Sequence, residues 1–181
     1  MTGTQAEVAR GDYHELRLRI PSRFAHQLVY RAERRDPYEV QVPDGMEFLF
    51  CDSLPAYLSL SGPIRRAIGA VGWAKGAARV LRGRKFYCVR SGDALLHTGW
   101  ATVSFCRYYK VGPGEVVIGP IWSSGEARGR GIATFATKRA INELVARAFG
   151  VFYIDTTNTN VPCIRMIEKC EFSVPVAVYL R

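Results

Sequence analysis

Apolar and polar residues along this chain fall into strand-like and helix-like runs from Met46 onward. Glu47-Phe48-Leu49-Phe50-Cys51 reads as a strand, and Ile64, Ala67, Ile68, Val71, Ala74, Ala78 and Leu81 recur at helical spacing. Arg65, Arg66, Arg79 and Arg82 flank that stripe, as expected of the solvated face of a helix packed on a core. From Lys85 the pattern changes: residues 86–90 and 94–105 are rich in β-branched and aromatic side chains around Ser91-Gly92-Asp93, which predicts a hairpin. Val111-Gly112-Pro113-Gly114 predicts a turn and residues 115–122 a third strand, in which Pro120 marks a bulge or an unpaired backbone position. A polar loop then leads to a helix over about 129–149, with Ile132, Phe135, Ala136, Ala140, Leu144 and Ala148 inward, and Gly150 ends it. Residues 151–155 form a short strand, Asn160 caps a helix running to Lys169, and residues 172–179 alternate as a last strand. Strand, helix and strand in that order imply a parallel pair joined by a crossover. Residues 1–12 are expected to fray, and residues 13–42 carry no clear pattern.

Composition narrows the class. A chain of 181 residues, 48% apolar and 23% charged, suits one compact soluble domain. We divide it into an N-terminal extension, 1–45, without assigned structure, and an organised part, 46–181. The first ten residues lack an apolar signal-peptide core and no run approaches a membrane span, so a cytoplasmic location without a membrane segment is expected. Five scattered cysteines without a Cys-x-x-Cys pair read as reduced core thiols, and three histidines without ligand spacing argue against a metal. The net charge of +9 favours anionic partners. No zinc finger, RNA-binding aromatic motif or helix-turn-helix accompanies that charge, so nucleic acid is not expected among them.

Chemistry concentrates in Glu126-Ala127-Arg128-Gly129-Arg130-Gly131-Ile132-Ala133-Thr134, between a predicted strand and a predicted helix. Two glycines let the backbone approach a ligand closely, and first-turn N–H groups with the helix dipole attract an anion, so this loop is expected to bind phosphate. A dinucleotide fold is the first rival, because Gly129-x-Gly131-x-x-Thr134 nearly fits its fingerprint and Asp155 ends the next strand. Gly129, however, follows Trp122 by seven residues instead of turning directly out of the strand, and only 26 residues follow Asp155 to complete the sheet.

The loop resembles motif A of the GNAT superfamily, Gln/Arg-x-x-Gly-x-Gly/Ala, with Glu126 in place of the first residue. The run Asn160-Val161-Pro162-Cys163-Ile164-Arg165-Met166-Ile167-Glu168-Lys169-Cys170-Glu171-Phe172 resembles the family's following motif, Asn-x-x-Ser/Ala-Ile-x-x-Tyr-x-Lys-x-Gly-Phe. Glu171 stands there for the glycine, and Ile167 for the tyrosine that often protonates the departing thiolate. The resemblance implies an α/β (α+β) fold: a mixed, mostly antiparallel sheet with a central splayed parallel pair and helices on both faces. It also implies an acyltransferase that moves an acyl group, expected to be acetyl, from acetyl-CoA or another acyl-CoA to a small-molecule amine. Arg128, Gly129, Arg130, Gly131, Ile132, Ala133 and Thr134 would bind the pyrophosphate, and Ile121, Trp122, Ser123 and Asn160 the rest of the coenzyme. Asp155 and Glu115 are the candidates for the base that deprotonates the amine, with His97 third. A covalent acyl-enzyme through Cys163 or Cys170 lacks a neighbouring histidine. Two alternatives stay open: acyl carrier protein as a long-chain donor, for which the basic surface suits an acidic partner, and a catalytically silent coenzyme-binding module.

Overall fold

The computed structural model describes residues 7–8 and 26–180. Of the segment expected to fray, residues 1–6 and 9–12 lie outside the described residues. The elements are β1 (Glu7–Val8), β2 (His26–Glu33), β3 (Glu47–Cys51), α1 (Leu54–Leu58), α2 (Ser61–Leu81), β4 (Lys85–Ser91), β5 (Ala94–Val103), β6 (Val116–Ser123), α3 (Ile132–Val145), β7 (Val151–Thr157), α4 (Val161–Lys169) and β8 (Ala177–Leu180). The strands form one eight-stranded sheet in the order β1-β8-β2-β7-β6-β5-β4-β3. Every pairing is antiparallel except β6 with β7, which α3 joins.

Alternate residues of β4 and β5 enter different cores, as a pleated strand requires. Tyr87, Val89 and Ala101 pack with Ile132, Phe135, Ala140 and Leu144 of α3 and with Met166 and Ile167 of α4. Phe86, Cys88, Leu95 and Trp100 pack with Tyr57 of α1 and with Ile64 and Val80 of α2. Helices α1 and α2 therefore cover one face of the sheet and α3 and α4 the other. The α2 face is held by an aromatic trio, with ring centroids 5.2 Å apart for Tyr57–Phe86 and 5.0 Å for Phe86–Trp100. Burying each such ring contributes roughly 1.5–3 kcal/mol.

Three expectations about elements are corrected by tertiary contacts. The stripe assigned to the inner face of α2 is largely exposed: only Ile64 of it is buried, Val71 and Leu81 are about 70% exposed, at 69% and 70%, and Gly76 and Val80 face the core instead. Gly69, with φ 74°, interrupts the helix and shifts its phase. Helix α3 is shorter than predicted because Gly129 and Gly131 at one end and Ala148 at the other take positive φ. The last strand begins only at Ala177, since Phe172 is spent closing α4 on the Ile167 carbonyl and Ser173 donates to the Arg31 carbonyl.

The segment without a sequence pattern contains β2, which lies between β7 and β8. Its central Leu28, Val29 and Tyr30 are all buried, so no alternation shows. A strand covered on both faces reads as a continuous apolar run, too short here to stand out.

Candidate active site

The ladder between β6 and β7 is short. It pairs Val116 with Phe152, Val117 with Tyr153 and Ile118 with Ile154, and stops there. Beyond that point β6 stays with β5, as far as Ser123 opposite His97, and β7 stays with β2, as far as Thr157 opposite Gln27. Each strand is held on its outer side while the inner sides part. The break has a sequence cause: Gly99 and Ala101 of β5 face Ile121 and Ile118 of β6, so β6 carries an extra residue at Gly119-Pro120, and Pro120 has no N–H to donate. The peptide between those two residues is cis. The bulge expected at Pro120 is thus present, and it opens the sheet.

The opening is a cleft of about 510 Å³. Ile118, Gly119, Pro120 and Ile121 of β6 form one wall, Ile154, Asp155 and Thr156 of β7 the other, and Asn160 and Cys163 at the start of α4 close one end. Arg79, Arg84, Cys106 and Arg107 line its far side, with Phe105 and Tyr108. The cleft therefore runs between the two faces of the sheet.

Asp155 stands where the ladder ends, on the face of Val117 and Tyr153, since Ile154 beside it points into the α3 core. The Tyr109 hydroxyl donates to its Oδ2 at 3.0 Å, and the Gln27 side-chain amide donates to its Oδ1. Burial and the Asp155 charge push the Tyr109 hydroxyl far above the ordinary tyrosine value, so it remains a protonated donor.

The loop ahead of α3 is pinned at both ends. Ala127 is buried after a single turn over Gly125–Ala127, and Ile132 is buried at the helix start. Between them Arg128, Gly129, Arg130 and Gly131 are exposed. Gly129 and Gly131 have φ of 76° and 75°, a region L side chains rarely adopt, and space around both is open where a Cβ would stand. The first N–H of α3 with an acceptor at the helix start is that of Phe135, on the Gly131 carbonyl, which leaves the first-turn N–H groups of Ile132, Ala133 and Thr134 without intrahelical partners. Backbone donors at a helix N-terminus beside two arginines make this end of α3 locally positive, a setting that attracts anions in general.

The other expected residues divide. Ile121 and Asn160 line the cleft, and Asn160 also caps α4, accepting the Cys163 N–H at 3.4 Å. Trp122 and Ser123 are not among the lining residues: Trp122 is 40% exposed, and Ser123 bonds His97 Nδ1 at 2.8 Å. Glu115 stands just before β6 begins, where its Oε2 accepts the Gly112 N–H at 2.6 Å and fastens the turn. His97 is fully buried, and burial pulls it down to about 4, which keeps it neutral. Ile167 is fully buried in the core of the α3 face and offers no proton. Cys163 and Cys170 are both pushed above the ordinary thiol value by burial, opposite to what a nucleophile needs. Nothing in the local spacing of Gln27, Tyr109 or the arginines of the cleft signals their place at this site, which comes from contacts between segments distant in the chain.

Among the described residues no group of three or more His, Cys, Asp or Glu side chains could hold a metal ion, and no helix is long and apolar enough to cross a membrane.

A mixed sheet parted where β6 and β7 run parallel, with a glycine loop of unpartnered N–H groups opening the crossover helix, defines an architecture of the acyltransferase kind. The profile of the acetyltransferase (GNAT) family matches residues 67–172, and the chain belongs to that family. No curated protein matches it. Among solved structures it resembles a GNAT-family acetyltransferase from Colwellia psychrerythraea, at 16% identity and TM-score 0.59, over 93% of this chain and 61% of the other. A GCN5-related N-acetyltransferase from Sphaerobacter thermophilus superposes at 15% identity and TM-score 0.61, over 96% and 56%. A putative GNAT-family acetyltransferase from Novosphingobium aromaticivorans gives 22% and 0.55, over 88% and 65%. These likenesses concern the fold, and the chain spans under two thirds of the length of each.

Proposed function

We propose that this protein transfers an acyl group, acetyl in the simplest case, from acyl-CoA to a primary amine of a small molecule by direct attack. The observation that carries the reading is the end of the β6–β7 ladder at Ile118 and Ile154, which leaves a cleft with Asp155 at its edge. The residues present fit the coenzyme: backbone donors from Gly129 to Thr134, with Arg128 and Arg130, suit its pyrophosphate. Unpaired backbone groups along Gly119–Ile121, with Asn160 beyond, suit its amide-bearing arm.

Bound there, acyl-CoA supplies an activated carbonyl. The amine arrives as an ammonium ion and loses a proton to Asp155, directly or through one water. Its nitrogen then attacks the thioester carbon; the C–N bond forms, the C–S bond breaks, and the second proton of the nitrogen passes through water to the departing thiolate, since Ile167 cannot give one. An unpaired N–H at the ladder end would stabilise the oxygen as it becomes negative, an effect of roughly 3 kcal/mol in comparable sites. Asp155 is preferred to Glu115, whose carboxylate is engaged by the Gly112 N–H and which is not among the cleft's lining residues, and to His97, which is sealed in the core.

Calorimetric titration with acetyl-CoA, desulfo-CoA and NAD tests this. Binding of both coenzyme A species in the micromolar range, and none of NAD, is the expected result. Failure of acetyl-CoA to bind would overturn the reading.

A further inference from the structure

Resting on that reading, we infer that the amine acceptor carries an anionic group, a carboxylate or a phosphate, bound by Arg79, Arg84 and Arg107 on the α2 face of the cleft. All three arginines line the same cleft as Asp155. Among the described residues none of them forms an ion pair, although Arg31, Arg34, Arg66, Arg90 and Arg147 each do. Two are held in place. Arg79 lies over the Trp100 ring, 5.3 Å from its centroid. Helix α2 ends with the Gly83 N–H on the Val80 carbonyl at 2.9 Å and the Arg84 N–H on the Arg79 carbonyl at 3.1 Å, a closure that turns the chain back and brings Arg84 beside Arg79. Burial and the charges of Arg79 and Arg82 pull Arg84 below the ordinary guanidinium value, the mark of a cation crowded by its own kind. Such a cluster gains most from an anion that it can grip with paired N–H groups.

Sidedness assigns the cluster to the acceptor. The phosphate loop opens α3, whereas Arg79 belongs to α2, and these helices cover opposite faces of the sheet. A molecule with an ammonium at one end and an anion at the other would be drawn in with its nitrogen toward Asp155 and its anion toward the arginines, the orientation that acyl transfer needs. Phe105 and Tyr108, 55% and 51% exposed, edge this side of the cleft and suit an apolar body between the two charges.

Matched amines test the inference: 4-(aminomethyl)benzoate against 4-(aminomethyl)benzamide, and phosphoethanolamine against ethanolamine, assayed by thiol release with acetyl-CoA and by calorimetric binding in the presence of desulfo-CoA. Wild-type protein is expected to favour the anionic member of at least one pair tenfold or more in kcat/KM. The double variant Arg84→Gln/Arg107→Gln is expected to lose that preference while its acetyl-CoA affinity and melting temperature stay unchanged. Equal use of both members of each pair overturns the inference, as does a preference that survives in the variant. A tenfold loss of acetyl-CoA affinity in the variant would move the arginines to the donor side, and acetylation confined to a peptide with an acidic N-terminal sequence would replace the small molecule; either result also overturns it. If acetyl-CoA fails to bind wild-type protein, the transferase reading falls, and the calorimetric preference for the anionic amines, measured without coenzyme, decides the anion site by itself.

Discussion

The Tyr109 hydroxyl meets Asp155 Oδ2 at 3.0 Å, joining the loop after β5 to the residue at which β6 and β7 part. With Gln27 donating to the other oxygen, this carboxylate is oriented from two sides before any substrate arrives. Substitution of Asp155 by Asn is expected to lower kcat/KM by roughly 10²- to 10⁴-fold with little change in acetyl-CoA affinity, because it removes a proton acceptor and keeps the shape. Asp155→Ala should in addition destabilise the fold by about 1–3 kcal/mol, since two donors then lose their acceptor. Steady-state kinetics beside urea unfolding separate the two effects; full activity in Asp155→Asn would move the base elsewhere.

Gly131 predicts the reverse pattern, lost binding with a kept fold. At φ 75° it opens α3, and no atom lies within 4 Å of where a Cβ would stand. Gly131→Asp costs about 1–2 kcal/mol of backbone strain and sets a negative charge in the phosphate cradle. Acetyl-CoA affinity should fall by about 100-fold or more, equivalent to about 2.7 kcal/mol, with circular dichroism unchanged. A folded variant that binds normally would remove this loop from the coenzyme site.

His97 makes stability depend on pH. It is fully buried, and burial lowers it to about 4 from the ordinary 6.5. Between those values the unfolded chain takes up a proton that the folded chain does not, so the stabilisation is complete above 6.5 and is lost as pH falls toward 4. The loss should reach about 2 kcal/mol at pH 5 relative to pH 7.5. His97→Gln, which can still bond Ser123, should flatten that part of the curve in denaturant titrations. An unaltered slope would show that other groups dominate acid unfolding.

Gly99 is packed, not flexible. Tyr87, fully buried opposite it in the β4–β5 pair, covers the spot where a Cβ would stand and would collide with it through its ring carbon and hydroxyl. Gly99→Ala should therefore cost about 1–3 kcal/mol, the range for forcing extra atoms into a full core. The urea midpoint should drop with the slope unchanged; an unshifted midpoint would mean that Tyr87 can move aside.

Much of the site's frame was legible in the chain. Turn glycines at 129 and 131, the helical period from Ile132 to Leu144 and the capping Asn160 are local signals, and each sits within a few residues of the backbone it shapes. Pro120 announced the bulge in the same way, because the missing N–H belongs to that residue wherever it lies. By itself, then, the sequence determined the unit running from β6 through α4, its glycine loop and its parallel pair.

Only the tertiary structure decided what faces that frame. Gln27 and Asp155 are 128 residues apart, and they meet because β2 takes its place beside β7. Gly69 rotates the apolar stripe of α2, and nothing in the spacing of Ile68 and Val71 signals that turn. Arg79, Arg84 and Arg107 are solvated charges until the α2 terminus and the loop after β5 fold over the same opening. Local propensity is a property of neighbours along the chain, whereas a catalytic constellation is a property of which strands lie side by side, and strand order depends on packing that no single segment contains.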